Sequence, residues 1–158
     1  MNGATIKRKN PNVIHKIYEQ MKVDCQRIVA VGFPEGKAQA YPDGTPVASV
    51  AATQVYGDPG AHIPARDFMA AARPAIIKHQ QKVAEKYHAM NGFENILLAS
   101  LGEYAVADIK NGIKRTNDPP LSEYTLEKRR EKGNMDDKPL IDTHHMIDSV
   151  TYVVRNKE

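Results

Sequence analysis

Two runs of β-branched and aromatic residues lie near opposite ends of this chain, and helical periodicity and turn residues dominate the stretch between them. The first run is Arg27-Ile-Val-Ala-Val-Gly-Phe33, stopped by Pro34-Glu-Gly36. The second is Ser149-Val-Thr-Tyr-Val-Val154, in which Val150, Tyr152 and Val154 alternate with Ser149, Thr151 and Val153, as in a half-buried strand. A strand must pair its backbone N–H and C=O groups, so each run is the other's best partner. Their pairing closes the beginning of the chain onto its end. The expectation is an α+β fold in a single domain over 1–158, with a small antiparallel sheet of strands near 27–33 and 148–155 enclosing helices.

Length and composition fit one core, since 158 residues with 41% apolar content are enough to build it. No uninterrupted apolar run approaches the roughly 20 residues of a bilayer span, and Met1-Asn-Gly-Ala-Thr-Ile-Lys-Arg-Lys9 lacks the apolar core of a signal peptide. The chain therefore reads as soluble and made in the cytoplasm. Cys25 is the only cysteine, which excludes an intramolecular disulfide and a cysteine-based zinc site. Between Asp24 and Gln26 it reads as a packing residue rather than a nucleophile. A net charge of +3 with a pI of about 8.9 is too mildly basic to establish nucleic-acid binding.

Val13, Ile14, Ile17, Tyr18 and Met21 recur at helical spacing and predict a first helix over 12–24. A turn-rich loop over 34–46 carries Pro42-Asp43-Gly44, and Pro46 suits the start of a helix over 47–56 that Gly57 ends. The valines of 47–56 leave a strand there as the competing reading. After a second exposed loop over 57–66, Phe68, Ala71, Ala72, Ala75, Ile76, His79, Val83 and Tyr87 mark an apolar stripe on a long helix over about 67–90. Pro74 predicts a kink or restart within it. Asn91-Gly92 breaks the pattern, and Ile96, Leu97, Leu101, Tyr104, Ala105, Ala107, Asp108 and Ile109 give a second long helix over 94–115. So short a connection makes the two an antiparallel pair. The segment 116–137 reads as mobile and basic, with a short helix capped by Ser122. In Lys138-Pro-Leu-Ile-Asp-Thr143, Pro139 holds Lys138 extended, and Asp142 or Thr143 can cap one turn of helix carrying Met146 and Ile147.

Catalytic patterns do not survive inspection. His144 and His145 are adjacent, so their side chains diverge rather than share an ion, and His15, His62, His79 and His88 are scattered. Asp142, His144 and Ser149 could be drawn as a triad, but they crowd one short segment without a nucleophile-elbow sequence. Glu103, Asp108, Glu123 and Glu127 read as solvated helix-surface carboxylates. Gly32 and Gly36 lack the spacing of a phosphate loop. No catalytic residue, metal ligand or cofactor is expected. Lys128-Arg129-Arg130, flanked by Glu127 and Glu131, reads as a solvated helix face, with a nucleic-acid contact over 128–132 as the alternative.

Two separated elements carry a resemblance. Ile63-Pro-Ala-Arg-Asp-Phe68 is followed by the two long helices, and Lys138-Pro-Leu-Ile-Asp-Thr143 by the Ser-Val-Thr-Tyr-Val-Val strand. In this order they resemble the neck and tail-completion proteins of tailed bacteriophages, over roughly residues 27–155. Such proteins typically carry Ile-Pro-Ala-Arg-Pro-Phe and Pro-Leu-Ile-Asp-Thr-Gly. This chain has Asp67 in place of the proline and His144 in place of the glycine.

The resemblance implies a non-catalytic virion protein that acts in head–tail joining or tail completion. It would be made in the bacterial cytoplasm and then reside at the virion neck or tail. The implied partners are a head connector, a tail terminator or tail tube, and further copies of the chain in a ring. No membrane partner is implied, and direct DNA contact is the less favoured alternative. Ile63, Arg66 and Phe68 become candidate interaction residues, with Phe68 anchoring its loop to the core and Arg66 pairing with a carboxylate. Lys128, Arg129 and Arg130 join them from the basic segment. A nucleic-acid-binding accessory module and a metal-dependent hydrolase using His144 or His145 are the competing function classes.

Overall fold

The structure, a computed structural model, describes residues 27–38, 40–90 and 94–157. The expected helix over 12–24, Cys25 and the Asn91-Gly92 break lie outside the described residues. Within them the fold is α+β. Its elements are β1 (Arg27–Gly32), α1 (Val47–Tyr56), α2 (Phe68–Met90), α3 (Glu94–Arg115), α4 (Glu123–Glu131), α5 (His145–Asp148) and β2 (Thr151–Asn156).

The two end-of-chain strands pair antiparallel, with Val29 opposite Val154, Val31 opposite Tyr152 and Gly32 opposite Thr151. Two strands alone make a marginal sheet, and this one is held by packing on α3. Gly102 of α3 permits the approach, because a Cβ there would clash with the edge of the Tyr152 ring. β2 begins at Thr151 rather than near 148, because Asp148 and Ser149 still donate backbone hydrogen bonds to His144 and His145 and so close the α5 turn.

Phe68 lies beside Gly112, and His79 beside Asp108, so α2 and α3 run antiparallel and form the main helical contact. A Cβ on Gly112 would sit 2.5 Å from the Phe68 carbonyl oxygen, so the glycine sets how closely the helices approach. α2 continues through Pro74. Proline cannot donate to the residue-70 carbonyl, but Ala70 and Pro74 are both exposed and water can serve that group. The helix starts on a side-chain cap in which Asp67 Oδ1 accepts from the Ala70 N–H at 2.8 Å. That gives a physical reason for an aspartate where the resemblance has proline.

Residues 47–56 are helical, with Val47 and Ala51 buried one turn apart. They join Phe68, Ala72, Ile109, Ile113, Leu140, Ile141, Met146, Ile147 and Val150 in one core cluster. Tyr41 packs on its edge, 4.5 Å from the His145 ring. Neither Asp142 nor Thr143 caps α5. The residue before the helix is His144, in the left-handed region at φ 63°, and no side chain caps there. This is the position where the resemblance has glycine, and histidine adopts the glycine-like backbone at a conformational cost of roughly 1 kcal/mol. Among the described residues, no helix is long and apolar enough to cross a membrane.

Candidate functional site

The loop between α1 and α2 is closed on itself. Gly57 ends α1 at φ 75°, a conformation disfavoured for other residues, and a Cβ there would lie 2.8 Å from the Ala65 nitrogen. Asp58 and Ile63 exchange both backbone hydrogen bonds at 2.8 Å, and Asp58 Oδ1 also accepts from the N–H groups of Gly60 and Ala61. The return strand is pinned by the Arg66 N–H, which donates to the Gln54 carbonyl at 2.6 Å. Phe68 then drops into the core, fully buried.

Arg66 is buried, and its guanidinium reaches across to the segment between α3 and α4. Nε donates to the Pro119 carbonyl at 2.6 Å and Nη2 to the Pro120 carbonyl at 2.9 Å. A diproline segment has no N–H at either position to build local structure, and the planar guanidinium fork satisfies both carbonyls at once. Burial, and secondarily the nearby Arg129 charge, lower the proton affinity of Arg66 below the ordinary guanidinium value, with Asp118 opposing.

Arg129 performs the same task for the second element. From α4 its Nη1 donates to the carbonyls of Asp136 (3.2 Å), Lys138 (2.8 Å) and Ile141 (2.9 Å), and Nη2 to that of Pro139 (3.4 Å). Its Nε lies 3.5 Å from Asp142 Oδ1, which also accepts from Asn134 Nδ2 at 2.7 Å. The Pro-Leu-Ile-Asp turn is thereby wrapped around one guanidinium while Leu140 and Ile141 fill the core. The segment that the sequence marks as mobile carries both of these anchor points.

The basic run thus divides. Arg129 is buried, whereas Lys128 pairs with Glu131 at 2.8 Å and Arg130 with Glu123 at 3.3 Å on the exposed face. Arg66, Arg129 and Ile63 come together on the wall of one open cleft of about 990 Å³. Phe68 sits beneath in the core. The cleft is completed by residues the sequence did not single out, among them Gln54, Tyr56, Pro120, Ser122 and Thr125. Gln54 Oε1 is closed off from solvent and accepts no hydrogen bond among the described residues. Tyr56 is 81% exposed and also borders an apolar groove of about 660 Å³ between α1 and α2, where Phe33, Met69, Ile76 and Ile77 line the wall.

A second polar pair was also missed. Asp108 is not a solvated surface carboxylate, for it is buried and lies 2.7 Å from His79 Nδ1. The His79 ring stacks on Tyr104 at 4.7 Å. Among the described residues no group of three or more His, Cys, Asp or Glu side chains could hold a metal ion. No family model, curated protein or solved structure matches the chain.

Proposed function

We propose that this protein is a structural component of a tailed-bacteriophage particle that joins head and tail at the neck and acts without catalysis. The observation that carries this reading is an apolar groove and a cleft that share the exposed Tyr56. Met69 and Ile77 line the groove, and Arg66 lines the cleft. Large exposed apolar side chains gathered beside a preformed cleft are characteristic of a face that meets protein. The two elements behind the resemblance support the same reading. Arg66 of the first holds the Pro119 and Pro120 carbonyls at the cleft, and the second is folded around Arg129 of α4 on the same cleft wall. The partners are the head connector and the tail terminator or tube, with further copies of the chain alongside in a ring.

An early stop codon at Asp24 in a phage or prophage carrying the gene tests the proposal, with the induced lysate viewed by negative-stain electron microscopy. Separate filled heads and tails are the expected result. Normal joined, infectious particles would refute it.

A further inference from the structure

The geometry points to the cleft at Arg66 as the receptor for an extended segment of a partner protein that brings one acidic side chain to the Arg66 guanidinium. The inference deepens the assembly reading by naming the chemistry of the partner, and it rests on that reading for the view that this face meets protein.

Three features lead to it. First, Arg66 is only 5% exposed, yet among the described residues no carboxylate lies within ion-pair distance of it. Its hydrogen bonds go to neutral carbonyls, and a second buried guanidinium, Arg129, stands on the same wall. A buried cation is normally matched by an anion, and here burial and Arg129 outweigh the opposing influence of Asp118. Among the described residues, none of those lining the cleft is a carboxylate.

Second, Gln54, one of the residues lining the same cleft, has an Oε1 that finds no donor among the described residues. Amide torsions are soft, so a small rotation turns this oxygen toward an arriving N–H. An extended backbone carries such N–H groups beside its side chains.

Third, the size of the cleft suits an extended segment. About 990 Å³ is room for several residues. Pro59, Pro64, Pro120 and Pro139 wall it without offering backbone donors that would compete for the ligand's carboxylate. The α4 N-terminus at Ser122 adds a favourable field for negative charge, and exposed Tyr56 at the rim provides a flat apolar anchor.

The test uses the isotopically labelled full chain and three probe peptides: Ac-Ala-Ala-Glu-Ala-Ala-NH2, its glutamine counterpart, and Ac-Ala-Ala-Ala-Ala-OH with only a terminal carboxylate. Saturable NMR shifts at the Gln54 side-chain amide, the Arg66 Nε–H and the Tyr56 backbone are expected with the glutamate peptide. Both other peptides should bind at least about tenfold more weakly, the worth of one charge-assisted hydrogen bond. Because Arg66 also holds the Pro119 and Pro120 carbonyls, the decisive variants are Gln54→Glu, which places a carboxylate in the cleft and should abolish the response, and Tyr56→Ala, which should weaken it in a folded protein. Equal response to the glutamate and glutamine peptides would overturn the inference. So would preference for the terminal carboxylate, an unchanged response in Gln54→Glu, or no saturable shift by about 10 mM peptide. Since these measurements use the isolated protein, their failure leaves the stop-codon result standing, and the converse also holds.

Discussion

Lys128, Arg129 and Arg130 are consecutive and chemically alike, yet their positions give them different work. Arg129 is buried beneath four carbonyls, so Arg129→Met should lower stability by about 2–4 kcal/mol in urea denaturation, through lost charge-assisted bonds and stranded acceptors. Lys128→Ala should change it by less than about 0.5 kcal/mol, because its pair with Glu131 is exposed. His144 bears a left-handed backbone, and His144→Gly should raise stability by roughly 0.5–1 kcal/mol in the same assay. Tyr41 has its proton affinity raised above the ordinary value of 10.0, by burial first and then by Asp142 and Asp43. The folded state therefore holds that proton more tightly than the unfolded chain. Its contribution to stability is complete below pH 10 and is lost as pH rises through the folded value. Tyr41→Phe should flatten the loss of stability measured across that range. Little of this was legible from residue types, for nothing local separates Arg129 from its neighbours: its role depends on where Lys138-Pro-Leu-Ile141 folds back. The aspartate at 67 and the histidine at 144 were legible as departures from a pattern, though only backbone geometry shows that one caps α2 and the other takes up a glycine-like turn.

At the scale of elements, periodicity carried most of the fold. A β-branched run placed β1, alternation placed β2, and the 3.6-residue stripe placed α2 and α3, because half-buried elements must expose one face and cover the other. It gave α2 its full length but did not show that the helix runs on through Pro74 without a restart, which depends on whether water can reach the carbonyl the proline leaves without a donor. Nor did it anticipate the His79–Asp108 pair, although both residues lay on the apolar stripes of helices expected to be antiparallel. Two polar residues on facing stripes are a signal that could have been used. The α3 glycines mark where elements approach most closely. Gly102→Ala should destabilise the protein by about 1–3 kcal/mol, because the Tyr152 ring must move and loosen the sheet from its helix. Combining it with Tyr152→Leu should cost less than the two single changes added, as measured by a double-mutant denaturation cycle.

For the molecule as a whole, the core brings together two elements that lie far apart in sequence. Val47, Phe68 and Ile113 meet Leu140, Ile147 and Val150, so the Ile-Pro-Ala-Arg and Pro-Leu-Ile-Asp turns are secured to one body. That arrangement suits a part whose task is to present a shaped face. The cleft itself was not legible in the sequence, because its walls come from α1, the 57–66 loop, the diproline segment and α4, which no local pattern ties together. The proposed joining role is tested most directly by adding the purified chain to separated heads and tails from the stop-codon lysate and counting joined particles by electron microscopy. Joined, infectious particles rising with added protein to a plateau are the predicted result. Heads and tails that stay separate at saturating protein, from a lysate that wild-type extract does restore, would contradict it.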